Sequence, residues 1–409
     1  MTDVLVLGAG MVGVSTALAL QSLGAKVVLA DRNAPGSATS HGNAGVIQAE
    51  AVEPYALPLN LRALWNIASG RSADVHWDFP GLLANARPLW SYLRHSTAAR
   101  YRRICTTYSR LIDQATRDHG ILIEAAHAQA LISQCGLYSA LRDAQRLEQQ
   151  IILANRLKDQ YGVPYRLLNG DALHSLEPGV RIRFAGAIHW TGSWHCADPG
   201  ALVKAYARRF ESQGGHFVHA DAFALARQRS GWQLQTELGT LHAERVVLAL
   251  GPWTPVLARR FGMSFPMLGK RGYHLHLIGG ATLQAPLVDV ERSAVYSPMN
   301  CGMRLLTGAD IAKNPHPGLA PQMQRALAAR TEVLGPAHPV EQKPWCGVRP
   351  CMPDMLPVVG AHPLDNALWF NFGHGHQGFT LGPTTGRLLA EQMLEKTSPI
   401  DALQPSRFL

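Results

Sequence analysis

The sequence predicts an α/β nucleotide-binding lobe joined to a second lobe built on antiparallel strands. Three observations carry this. The chain opens on an apolar strand that runs into a glycine-rich turn and a helix. Its 409 residues exceed what a single core usually serves. Alternating runs fill the middle, and the C-terminal part returns to strand, glycine turn and helix.

Residues 4–7 form a short continuous apolar run, the pattern of a parallel strand buried on both faces. It leads into Gly8-Ala9-Gly10-Met11-Val12-Gly13, followed by a helical pattern through Val14, Ala17, Leu18, Leu20 and Leu23 to Gly24. Residues 26–30 read as a second strand that delivers Asp31. Gly8 permits the tight turn, Gly10 lets the backbone approach a pyrophosphate, and Gly13 lets the helix pack on the strand. Met11 and Val12 open the helix, whose free N–H groups and dipole favour phosphate. Asp31 is placed to accept hydrogen bonds from a ribose. Strand, helix and acid together mark a dinucleotide site. Arg32 beside Asp31 leaves FAD, NAD and NADP open at this point.

Residues 33–45 form a loop of small and polar residues, where a nicotinamide dehydrogenase would continue to its next βα unit. Residues 57–103 are dotted with Trp and Arg. Helices are predicted over 110–120, 141–162 and from Pro199 to Gly214. Strands follow over 216–219, 232–236, 241–245 and 246–250, the last ending in Gly251-Pro252-Trp253. Antiparallel strands are predicted over 273–277, 294–297 and 303–307. A strand over 368–372, a glycine-rich turn over 373–378 and a helix over 384–396 complete the chain. The nucleotide lobe is expected to be discontinuous, comprising 1–56, 145–255 and 345–409. The substrate lobe takes 57–144 and 256–344.

Apolar residues at 47% and charged residues at 16% exclude a disordered chain. The formal charge of +9 is spread along the sequence without a long basic tract, so nucleic acid is not an expected partner. Six cysteines without a CxxC pair point to reduced thiols and a cytoplasmic setting. No window is apolar enough to span a bilayer. The scattered histidines suggest no metal.

The glycine-rich start, His41-Gly42-Asn43-Ala44-Gly45, residues 246–253, Gly347-Val348-Arg349-Pro350 and residues 373–378 occur in this order. That series resembles the D-amino-acid oxidase superfamily of flavoenzymes, most closely its bacterial D-amino-acid dehydrogenase and glycine oxidase branches, over nearly the whole chain. The resemblance implies a glutathione-reductase-like FAD-binding (Rossmann-type) lobe with an antiparallel-sheet substrate lobe. It assigns the pyrophosphate to Gly8, Gly10 and Gly13 and the adenosine ribose to Asp31, where most relatives carry Glu. Ser40, His41 and the loop from Gly42 to Val46 would line the flavin and its phosphates. Phe223 would touch the adenine, and Gly251 and Trp253 join the cofactor set. The turn Gly375-His376-Gln377-Gly378-Phe379-Thr380 would offer N–H groups to the N1–C2=O edge of a reduced flavin. Neither Cys346 nor Cys351 matches the spacing from Pro353-Asp354 at which sarcosine oxidases attach flavin, so non-covalent FAD is expected.

An α-amino acid requires a cation for its carboxylate, and an arginine fork serves best. By the resemblance Arg349 fills that role; pairing with an acid such as Asp354 is the alternative. Tyr296 matches a tyrosine that assists the carboxylate, or packs the sheet. Tyr273 and His274 are expected on a strand facing the flavin, with Tyr273 equally a candidate for the core, and His376 stands where some relatives carry Arg. The implied reaction is hydride transfer from Cα–H to flavin N5, with hydrolysis of the imino acid. Electrons then pass to a quinone, another acceptor or oxygen, and the 57–103 segment suits either an acceptor at the inner membrane face or ordinary helix packing. Alternatives are oxidation of glycine, sarcosine, D-proline or hydroxyproline, an NAD(P)-dependent dehydrogenase, and a non-catalytic dinucleotide-binding protein.

Overall fold

The apolar run at the N-terminus is the centre of a parallel sheet. The computed structural model describes the chain except residues 1, 61–64, 68, 70–73, 238 and 317, so parts of the Trp- and Arg-dotted segment lie outside the described residues. Strand Thr2–Leu7 lies between Val27–Asp31 and Gly239–Leu248, with His216–His219 beyond the former and Asp365–Phe372 beyond the latter. Gly239–Leu248 is one strand where the sequence suggested two. Its first half alternates and pairs antiparallel with Gly231–Thr236. Its last residues, Val246 to Leu248, are fully buried and pair parallel with Thr2–Leu7 and Asp365–Phe372. The hydrophobic pattern changes because the strand enters the two-sided core, and no turn residue interrupts it.

Helix Pro199–Ser212 covers this sheet with Leu202, Val203, Tyr206 and Phe210 buried. It starts where expected because Pro199 fits the first turn and Asp198 accepts from the Ala201 N–H at 2.9 Å.

The C-terminal helix starts earlier than expected, at Gly378–Ala390, with Pro383 inside it. Proline cannot donate to the carbonyl four residues back, which orphans Phe379 O. Buried His119 supplies that donor from Nε2 at 2.8 Å. Burial pushes His119 down to about 4, keeping the ring neutral, and its Nδ1 lies 3.2 Å from the Tyr206 hydroxyl. The helix packs closely on Met11–Ser22. A Cβ on Gly382 would lie 2.8 Å from Met11 Cγ, and one on Gly386 2.8 Å from Thr16 N. Both helices therefore present their N-termini to the same place.

The second lobe is an eleven-stranded sheet among the described residues. Its long strand Leu268–Ile278 pairs antiparallel with Trp345–Cys351 along its first half and Gly302–Thr307 along its second. Strands Tyr165–Asn169, Gly186–Trp190 and Trp345–Cys351 also belong to this sheet. The ranges 145–255 and 345–409 thus cross between the lobes, which corrects the boundaries read from the sequence. Short runs between turns carry no mark of which sheet will accept them.

Candidate active site

A cavity of ≈1310 Å³ runs along the junction of the two sheets, from Gly10, Asp31, Phe223 and Trp253 to Lys270, Arg349 and His376. Its first end is built mainly from backbone. Gly8 has φ +110°, and a Cβ there would meet Ala249 O at 2.5 Å. A Cβ on Gly13 would lie 1.7 Å from Gly8 O, so helix and strand approach only because both positions are bare. Gly10 differs: the nearest atom to its Cβ position is Ser40 Oγ at 3.4 Å, and it faces the cavity. Asp31 is fixed by the Ala9 and Asn33 N–H groups, at 2.8 and 2.9 Å, one on each carboxylate oxygen. Met11 N–H donates to Ser40 Oγ at 3.0 Å. Arg32 turns onto Trp253, 5.6 Å from the ring centre. Two helix N-termini, an open glycine and a prepositioned acid fit a dinucleotide.

The 41–45 loop is held from behind. Arg304 is 3% exposed and donates to the carbonyls of His41 and Asn43 at 2.7 and 2.5 Å. Its Nε donates to His276 Nε2 at 3.0 Å, which leaves the His276 proton on Nδ1, 2.5 Å from Glu341. Trp345 lies against Gly42 and Gly347, where a Cβ would fall 2.0 and 2.1 Å from its ring, and His274 stacks on that ring at 4.9 Å. Gly42, Asn43 and Ala44 line the cavity. His41 does not; its ring turns towards His274. Gly45, at φ +71°, bends the chain into the short strand Val46–Ile47 beside Cys196.

The 375–380 turn also borders the cavity. Gly375, at φ +60°, donates its N–H to Pro350 O at 2.9 Å. Gly375, His376, Gly378 and Phe379 line the cavity, as Gly251 does near the other end. Gln377 and Thr380 stand behind it. The Gln377 amide donates to Gln48 at 2.6 Å, and the Gln48 amide to Glu50 at 2.5 Å. Ser193 also donates to Glu50, whose proton affinity burial raises. His376 packs on Tyr55 at 4.8 Å, and its Nε2 is buried without a partner among the described residues. Burial, aided by Arg349 and Lys270, pushes it down to about 3, so it is neutral near pH 7.

Lys270 and Arg349 are direct register partners on adjacent strands and both line the cavity. Arg349 donates to the carbonyls of Gly308 and Thr307, each at 3.3 Å, and Asp354 is taken by Arg407 at 2.6 Å. The pairing with Asp354 left open by the sequence therefore does not form.

Two expected site residues turn elsewhere. Tyr273 touches the cavity, but its side chain lies on the sheet face opposite Lys270 and its hydroxyl donates to Asp310 at 2.7 Å. Tyr296 does not line the cavity. It is fully buried, packed in the second lobe's apolar core with its hydroxyl unpartnered among the described residues, while its neighbour Val295 faces the cavity. Both corrections are of strand parity: one step along a strand changes the face. His76, Asp310 and His316 form a grouping with metal-compatible spacing. There Asp310 already serves Tyr273 and the His76 ring, at 2.7 and 2.9 Å, and we read it as a hydrogen-bonded brace.

Lys270, Glu50, Tyr55 and Arg304 were not singled out in the sequence. Lys270, three residues before Tyr273, and Glu50, five after Gly45, flank motifs that were read. Arg304 carries no local signal.

A family model described as "FAD dependent oxidoreductase" matches residues 3–392. The chain is 30% identical to a D-amino-acid oxidase of Bradyrhizobium diazoefficiens over 99% of each chain. It is 29% identical to a D-amino acid dehydrogenase of Cereibacter sphaeroides, over 95% of this chain and 91% of the other. Among solved structures, glycine oxidase from Geobacillus kaustophilus superposes with a TM-score of 0.72 at 21% identity, covering 100% of this chain and 99% of that one. L-proline dehydrogenase from P. horikoshii gives 0.73 at 15%, covering 100% and 97%. These two establish likeness of fold. The cofactor is FAD, and the NAD(P) reading left open by Arg32 falls away.

Proposed function

Since the chain belongs to the FAD dependent oxidoreductase family, we propose that it oxidatively deaminates a D-amino acid to a 2-oxo acid and ammonia, delivering electrons to a quinone or another acceptor. The observation that carries this is Arg349. It stands on the cavity wall with no acid paired to it among the described residues, and desolvation holds it below its ordinary value. An unpaired guanidinium in such a place suits a carboxylate. The relatives named for D-amino acids support the configuration.

FAD supplies the acceptor for the Cα–H electron pair. Gly10 and the two helix N-termini would hold its phosphates, Asp31 its ribose, and the 375–379 turn its ring end. Arg349 fixes the substrate carboxylate, and orientation then contributes much of the rate. His376, neutral down to about pH 3, leaves the positive charge of this wall to Arg349 and Lys270. The acid limb of kcat/KM should therefore follow the substrate ammonium. No helix among the described residues is long and apolar enough to cross a membrane. Phe79, Leu83 and Trp90 are 72, 69 and 64% exposed beside Arg87 and Arg94, which supports an acceptor met at a membrane surface.

The test is anaerobic bleaching of the flavin band by D-amino acids, their L-enantiomers, glycine, sarcosine and D-proline. Bleaching by D-amino acids is expected. Bleaching confined to glycine, sarcosine or cyclic amines would replace the D-amino-acid reading, and glycine oxidase and proline dehydrogenase share this fold. Sedimentation with anionic vesicles tests the membrane contact.

A further inference from the structure

We propose that the substrate carries a second carboxylate on its side chain and that Lys270 receives it, an inference that rests on the amino-acid reading above. Lys270 and Arg349 sit directly opposite each other on neighbouring strands, so their side chains leave the same face. Like charges in that relation destabilise a sheet, and more so in a wall shielded from water. Neither has an ion-pair partner among the described residues. One carboxylate would leave this pair with a net positive charge. Two would neutralise it.

The two heads also diverge. The Arg349 guanidinium lies along Gly272, where a Cβ would fall 2.6 Å from its terminal nitrogen, and reaches the Thr307 and Gly308 carbonyls. Lys270 Nζ instead rests 4.2 Å from the centre of the Tyr92 ring. One cation is thus held along the Gly272 backbone and the other on the Tyr92 ring. That arrangement offers two anion subsites in place of one fork. Tyr92 is itself fixed, its hydroxyl donating to Tyr55 O, so the lysine head rests on an ordered ring. An aliphatic side chain would leave the ammonium without its anion; a D-aspartate or D-glutamate side chain would not.

Anaerobic flavin reduction by D-glutamate and D-aspartate should have a kcat/KM at least about tenfold above that of D-alanine and D-leucine. Lys270→Met should lower the diacid-to-neutral ratio by roughly 10- to 100-fold, and Lys270→Arg should retain much of it. Neutral D-amino acids reacting as well as the diacids in the unmodified enzyme would overturn the proposal. So would an unchanged ratio in Lys270→Met, since both cations would then serve one carboxylate. Titration of the oxidised flavin spectrum with succinate or glutarate against propionate needs no turnover and no variant. Tighter binding of the dicarboxylates without reduction by any amine would uphold the two-anion site while removing the amino-acid reading. Equal binding of mono- and dicarboxylates would remove the second site.

Discussion

The two ends of the cavity are built by different means. The nucleotide end is made mainly of backbone, with the stretch Gly8 to Asp31 at its centre and Ser40, Phe223 and Gly251 to Trp253 around it, and works through glycines that bring main chain within reach of a phosphate. The substrate end is made of side chains from four places separated in sequence, Tyr55, Lys270, Arg349 and His376, brought together by two adjacent strands of one sheet, a loop and a turn. The first is broken most directly by adding atoms at its glycines, the second by removing charge. Substitutions should therefore divide by readout: flavin content for one end, KM and substrate preference for the other.

The largest effect is expected at Gly13. A Cβ there meets the Gly8 carbonyl, a main-chain atom that cannot rotate away, so helix and strand must separate. Gly13→Ala should cost about 3 kcal/mol or more and leave the purified protein largely colourless. A flavin-to-protein absorbance ratio equal to the unmodified enzyme's would show that the close packing is dispensable.

Arg349→Ala comes next and should keep its flavin. We expect kcat/KM for carboxylate substrates to fall about 100-fold, near 2.7 kcal/mol, chiefly through KM. Arg349→Lys should recover part of this, since it restores charge without the fork. An unchanged KM would take Arg349 out of the carboxylate site.

Between the ends stands the helix Gly378–Ala390, and His119 tests how it is held. His119→Leu removes the donor to Phe379 O that Pro383 cannot supply, a loss of about 1–3 kcal/mol. The same residue predicts a pH dependence. Its folded value, about 4, lies below the unfolded 6.5, so the unfolded chain binds the extra proton. The stabilisation is whole above pH 6.5 and declines as pH falls towards 4. Between pH 7 and 5 the unmodified enzyme should lose roughly 2 kcal/mol more than His119→Leu. Parallel urea midpoints for the two proteins across that interval would argue against a neutral buried imidazole.

What was legible in the sequence follows the same division. Residues 8–31 carry their own geometry, because turn, helix start and acid are consecutive and each glycine has a local reason. Arg349 was legible through the family pattern around it. Lys270 was passed over and Tyr273 chosen because alternation along a strand identifies two faces without saying which one meets the cavity. Pro383 hid the first turn of the last helix, since its rescue by His119 comes from 260 residues away.

Tyr296 is the sharpest instance of that ambiguity and carries the smallest expected effect. Motif order places it among substrate residues, whereas the strand turns Val295 to the cavity and Tyr296 into the apolar core. Its hydroxyl is buried with no partner among the described residues, so its desolvation is uncompensated there. Tyr296→Phe removes that oxygen and keeps the ring that fills the core. Stability should change by no more than about 0.5 kcal/mol, or rise slightly. A carboxylate ligand would behave otherwise: losing a charge-assisted hydrogen bond raises KM roughly tenfold or more. Steady-state kinetics of Tyr296→Phe beside Arg349→Ala therefore decides whether the substrate end is read from the strand's parity or from the motif.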